Sequence, residues 1–175
     1  MAIVMAAALG GCERAPEVVE APPVAEISCG DNGFLAAELY GTIERSVNWT
    51  TTDMRCESML RPDGEGVRLR FTGDAAERQL VIILALPDLE RGMTGKELAT
   101  IATLTVEGSG RFFSTPNLDA CWSDISTQDP LDEDQQRYEV VGTLYCVAPL
   151  GEVNGDAAIS IPQLEFRGII DWGAE

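Results

Sequence analysis

Apolar and polar positions alternate with a period of two over much of this chain. Leu164, Phe166, Ile170 and Trp172 fall on one parity, and Glu165, Arg167 and Asp171 on the other. That pattern predicts a half-buried antiparallel strand, with Gly168 marking a bulge or a close neighbour. Tyr138–Val147 predicts a second long strand, with Val140, Gly142, Leu144 and Cys146 on one face. Residues 67–72 set Val67, Leu69 and Phe71 against Arg68, Arg70 and Thr72. Leu80–Leu86 is a continuous apolar run of strand length, which predicts a central strand covered on both faces. Thr100–Val106 and Arg111–Ser114 flank Glu107-Gly108-Ser109-Gly110, a hairpin signal. Glu38–Ile43 and Ala120–Ile125 read as further strands. Helical periodicity is poor, at most a turn near Thr94–Ala99.

Turn-forming residues recur at Asp31-Asn32-Gly33, Pro62-Asp63-Gly64, Gly73-Asp74, Asp129-Pro130 and Asn154-Gly155-Asp156. Short strands at this spacing predict an all-β fold, an antiparallel β-sandwich or flattened barrel of about seven to ten strands. The 175 residues, 45% of them hydrophobic, suffice for one domain rather than two.

Charge narrows the chemistry. The chain has 29 acidic and 12 basic side chains, no histidine, and a net charge of −17. Without histidine there is no Ser-His-Asp or Cys-His site and no histidine-ligated metal. The acidic balance argues against nucleic acid as a partner and against polybasic docking on anionic lipid.

Met1–Gly11 carries no charged side chain, and Cys12 follows at once, then Glu13 and Arg14. About ten apolar residues are too few to span a bilayer but fit the centre of a secretion signal. Leu9-Gly10-Gly11-Cys12 resembles a bacterial lipobox. No Lys or Arg precedes Cys12, a departure from such signals that a start codon placed too far downstream would account for. The resemblance implies a signal segment over 1–11, cleavage before Cys12, and diacylglycerol and palmitate-type acylation at Cys12. It also implies a lipoprotein of the bacterial cell envelope, facing the periplasm. Residues 12–28 then form the lipidated cysteine and a Pro/Glu-rich tether reaching at most about 50 Å. Residues 29–175 form the single β domain. The whole layout looks like small uncharacterised envelope lipoproteins with a disulfide-stapled β domain, a likeness that brings no activity with it.

Four cysteines remain: Cys29, Cys56, Cys121 and Cys146. In an exported chain two disulfides are the expectation. Three pairings are open; Cys29–Cys56 with Cys121–Cys146 is favoured because both loops are then similar and modest. Zinc is disfavoured, because the usual close Cys pairs are missing. Trp122, Tyr145 and Trp172 are expected near the Cys121–Cys146 bridge.

Candidate chemistry is thin. Asp129, Asp132, Glu133 and Asp134 form the densest acidic cluster and are weak calcium candidates, without the glycine-turned loop of an EF-hand. No catalytic residue and no cofactor is assigned. Trp49, Phe112 and Phe113 are weak candidates for a binding patch; Phe112 and Phe113 are adjacent, so one of them should face outward. The preferred reading is a non-enzymatic binding or structural lipoprotein, held by its membrane anchor and meeting another envelope protein. The alternative is an envelope hydrolase, or a ligand- or calcium-binding lipoprotein, that uses the acidic cluster.

Overall fold

The structure, a computed structural model, describes residues 29–61, 66–75 and 78–173. The signal segment, Cys12, the tether and the Pro62-Asp63-Gly64 turn lie outside the described residues. The chain runs through β1 (Phe34–Gly41), β2 (Arg45–Thr50), β3 (Met54–Leu60), β4 (Val67–Ala75) and β5 (Arg78–Leu86). Then come β6 (Gly95–Ala99), β7 (Ile101–Val106), β8 (Arg111–Ser114), a 3-10 turn at Leu118–Ala120, β9 (Cys121–Pro130) and β10 (Arg137–Cys146). Last are β11 (Leu150–Glu152), β12 (Ala158–Ser160) and β13 (Gln163–Asp171). All pairings are antiparallel, in one sheet that folds on itself into two layers.

The front layer has the order β2-β1-β13-β10-β9-β6, and the back layer β3-β4-β5-β7-β8-β11-β12. They are joined at β1. Its start pairs with β13 (Leu35↔Phe166) and its end with β12 (Tyr40↔Ser160). β12 and β13 thus act as one strand bent at Ile161-Pro162, where proline removes a ladder donor and turns the chain from one layer into the other. The architecture is the expected all-β sandwich, with thirteen described strands rather than seven to ten.

The core fills the space between layers. Leu35, Val140, Leu144, Leu164 and Phe166 enter from the front, and Leu69, Phe71, Ile82, Leu84, Leu104 and Phe113 from the back, all essentially inaccessible. Each such side chain contributes roughly 1.5–3 kcal/mol of burial. The rings of Phe71 and Phe166 meet across the interface, 5.9 Å apart and tilted by 57°. Gly168 is a close neighbour, as expected: a Cβ there would lie 3.3 Å from the Phe71 ring. Gly73 is tighter still, because the Trp49 indole lies on it, 2.5 Å from where a Cβ would be.

The sheet does not close by backbone pairing. The last residues of β13 pass β1 and run beside β3 without a ladder between them. Two contacts hold that seam. Asp171 donates its N–H to Ser58 Oγ at 2.9 Å. The Cys29–Cys56 disulfide, with Cα atoms 4.9 Å apart, ties the segment before β1 to β3. Thr51 Oγ–H reinforces it by donating to the Gly30 carbonyl at 2.7 Å. The second disulfide, Cys121–Cys146, joins directly opposed residues of β9 and β10, Cα atoms 4.1 Å apart. The favoured pairing is the one present.

Three local expectations are corrected. Thr94–Ala99 holds strand β6, not a helical turn: Glu97 at φ 56° makes a bulge, and the segment pairs with β9. Gly73-Asp74 lies inside β4, not in a turn, because β4 continues in register with β5 to Ala75. β5 is central, but no further layer covers its outer face, where Ile83 and Ala85 are only half-buried.

Candidate functional site

The outer face of the back layer is the distinctive surface. Register places Thr72, Val81, Thr105 and Phe112 in one row across β4, β5, β7 and β8. Arg70, Ile83, Thr103 and Ser114 form the next row, and Arg68, Ala85 and Ile101 the third; on β3 the three rows begin with Arg55, Glu57 and Met59. Every outward residue of β5, β7 and β8 in these rows is uncharged, although Thr72, Val81 and Thr103 are buried beneath their neighbours and the rest, apart from Phe112, are only partly exposed. Arg68 and Arg70 border it on β4, and Arg70 is held by Glu57 at 2.8 Å and Glu107 at 3.6 Å. Phe112 stands out of this face 40% exposed, and Met59 59%. Val153, half exposed, is fixed beside Phe112 by its N–H to the Phe112 carbonyl at 2.8 Å.

Of the three aromatic residues singled out in the sequence, only Phe112 belongs to such a surface. Phe113 has the opposite parity and is fully buried between the layers. Trp49 is 5% exposed: its ring packs on Gly73 and its Nε1–H donates to the Asp74 carbonyl at 3.0 Å. Its polar sequence neighbours point to solvent because β2 alternates, so the ring is the inward residue of a polar strand. Met59 and Ile83 went unnoticed in the sequence; their signal is the register of β3 and β5 against β4, which local pattern does not supply.

The acidic cluster does not assemble a site. Asp129 is exposed at the end of β9, and Asp132, Glu133 and Asp134 sit in the β9–β10 turn. Asp132 Oδ1 accepts the N–H of Gln136 at 3.0 Å and so shapes that turn. Among the described residues no three acidic or cysteine side chains converge where they would hold a metal ion. The larger grooves are open. One of about 610 Å³ is lined by Leu60, Pro87, Leu89, Arg91 and Trp172, and its two carboxylates, Asp88 and Glu90, are both exposed.

Two polar devices position loops without sequence warning. Gln128, 6% exposed, uses its whole amide. Nε2 donates to the carbonyls of Glu90 and Met93, at 3.0 and 2.9 Å. Oε1 accepts the N–H of Gly92 at 2.8 Å and Nε1–H of Trp172 at 2.9 Å. It fixes the loop after β5 and the end of β13 to β9. Trp172 is therefore at the Gln128 end of β9, far from the disulfide where it was expected. Trp122 and Tyr145 do flank that bridge, as a cross-strand pair.

The second device is a fork. Arg111 Nε and Nη2 donate to Glu152 Oε1 and Oε2 at 2.6 and 3.1 Å, and the guanidinium lies 5.1 Å from the Phe113 ring centroid. The hydrogen bonds from Arg111 hold the Glu152 carboxyl below the ordinary glutamate range, and Glu152 raises Arg111 in turn. Comparison with protein-family models, curated proteins and solved structures returned no match.

Proposed function

We propose that this chain is an exported, lipid-anchored envelope protein whose β domain works by binding another envelope protein or stabilising an assembly. In this reading Cys12 carries the acyl chains, residues 13–28 hold the domain clear of the headgroups, and the domain faces the periplasm. Two or more acyl chains give stable anchoring where one does not.

The observation that carries the reading is the pairing of all four domain cysteines into two bridges. Disulfides persist in oxidising compartments and are rare in the cytosol. The binding half is supported by the uncharged face around Phe112. Aromatic and methionine side chains such as Phe112 and Met59, with arginines at the border, are types enriched in protein interfaces.

Labelling with a palmitate analogue is expected to mark the wild type and not Cys12→Ser; an unmarked wild type would remove the anchor. Phe112→Asp is expected to abolish cross-linking to envelope proteins while leaving the melting temperature nearly unchanged. Equal cross-linking in the variant would remove this face from the reading.

A further inference from the structure

Among the described residues three strands end hydrogen-bonded ladders, and they are finished differently. β3 is covered by Asp171 and the Cys29–Cys56 bridge. β6 is blunted, because its register breaks between Gly95 and Leu98 and it exposes Lys96 and Glu97. Bulges and edge charges of that kind prevent strand addition. Among the described residues, nothing covers β2 and no bulge interrupts it, and its one charge, Arg45, stands at its end. Its six residues pair with β1 in unbroken register, without proline, lysine or bulge.

The phase of its backbone follows from β1. Thr42 donates its N–H to the Ala158 carbonyl, so the even-numbered backbone of β1 faces β12 and β13, and the odd-numbered backbone faces β2. On β2, Arg45, Val47 and Trp49 therefore bond to β1, and the backbone of Ser46, Asn48 and Thr50 faces away. Thr50 is already closed: Asp53 Oδ2 accepts its N–H at 2.9 Å, and the Asp53 N–H donates to its carbonyl at 2.9 Å. Ser46 and Asn48 are left with two N–H and two C=O groups along the edge.

A groove of about 480 Å³ follows this edge, lined by the five consecutive residues 45–49, with Thr52, Asp53, Asp74 and Ala75 completing it. Arg45 stands at one end and Asp53 at the other, with no charge on the strand between them. Such an edge is self-complementary about a two-fold axis.

We propose that two copies of this chain join edge to edge through β2, with the axis at Val47. Ser46 of each copy lies opposite Asn48 of the other, which makes four N–H···O bonds. Arg45 of each copy then points toward Asp53 of the other, so the charge polarity of the groove sets the antiparallel direction. The two front layers become one continuous sheet, a completion that a row of unpaired edge N–H and C=O groups invites. The surface is a second copy's, distinct from the face around Phe112, and it does not depend on the anchor.

Sedimentation velocity of the full chain in mild detergent tests this over about 1–100 μM. A monomer–dimer equilibrium is expected. Arg45→Glu and Asp53→Lys, each alone, are expected to weaken it at least about tenfold, and an equimolar mixture of the two to restore it. Asn48→Pro, which removes an outward N–H and no bond to β1, is expected to weaken it similarly. A wild type that stays monomeric throughout overturns the proposal. So does a dimer indifferent to Arg45→Glu and Asn48→Pro, which would place the contact on another face. So does a mixture that fails to recover although both variants are folded by circular dichroism.

Discussion

The two disulfides close loops of nearly the same length, with sequence separations of 27 and 25. If a bridge acts only by restricting the unfolded chain, they should be worth the same, about 3 kcal/mol each. Their folded surroundings differ. Cys121–Cys146 joins neighbours that a ladder already holds together from end to end. Cys29–Cys56 sits where no ladder exists and the sheet would otherwise gape between β3 and β13. One bridge adds stability to a joint that is already made; the other also makes the joint.

The largest expected effect tests that distinction. Replacing either pair by serine should cost about 3 kcal/mol by denaturant titration. Deuterium exchange should then separate them. Loss of Cys29–Cys56 should accelerate exchange selectively in β3 and at Ile169–Asp171, while loss of Cys121–Cys146 should leave β9 and β10 protected relative to the rest. Identical exchange patterns would erase the contrast.

Gln128→Leu comes next, since β9 carries a covalent staple at one end and this amide at the other. Four partly buried partners lose their bonds, for an expected loss of about 2–3 kcal/mol, with a change in Trp172 fluorescence. Ser58→Ala removes the hydrogen bond between β3 and the end of β13 and should cost about 1 kcal/mol. That cost should rise when Cys29 and Cys56 are also serine, because the two devices guard the same gap.

The smallest effect belongs to the Arg111–Glu152 fork, which like Cys121–Cys146 ties strands linked within one sheet. The Glu152 carboxyl is depressed in the folded protein, so its contribution is present above the ordinary glutamate range. It is lost as pH falls through the depressed value. Arg111→Gln should therefore melt slightly lower than wild type at neutral pH, and the two curves should converge in acid. A constant gap across pH would mean that packing on Phe113, not the ion pair, accounts for the difference.

Where the chain alternates cleanly, the fold was legible. β4, β10 and β13 each bury one parity and leave most of the other at least partly exposed, so their residues carry the signal themselves. β2 was missed because its exposed residues are Ser46, Asn48 and Thr50, and what makes Trp49 inward is Gly73, a residue of another strand. β11 and β12 are three residues each, too short for any period to register. Cysteine spacing foretold the bridges, but nothing near Gln128 foretells an amide with four partners. For the surface site, the adjacent Phe112 and Phe113 showed that one must point out. Which one, and onto what neighbours, depended on the register of β7 with β8.

The pairing of β1 with β13 sets a constraint on how the molecule is made. Leu35 meets Phe166 and Ala37 meets Leu164, so the middle of one layer is built from residues synthesised early and residues synthesised late. A β1–β2 hairpin can form as soon as it emerges, but its apolar side must wait for nearly the entire chain before it is covered. Contacts so distant in sequence slow folding to milliseconds or longer and leave an interval of aggregation risk. Removing the last strand should leave the first without its neighbour and yield a sticky intermediate in place of a smaller domain.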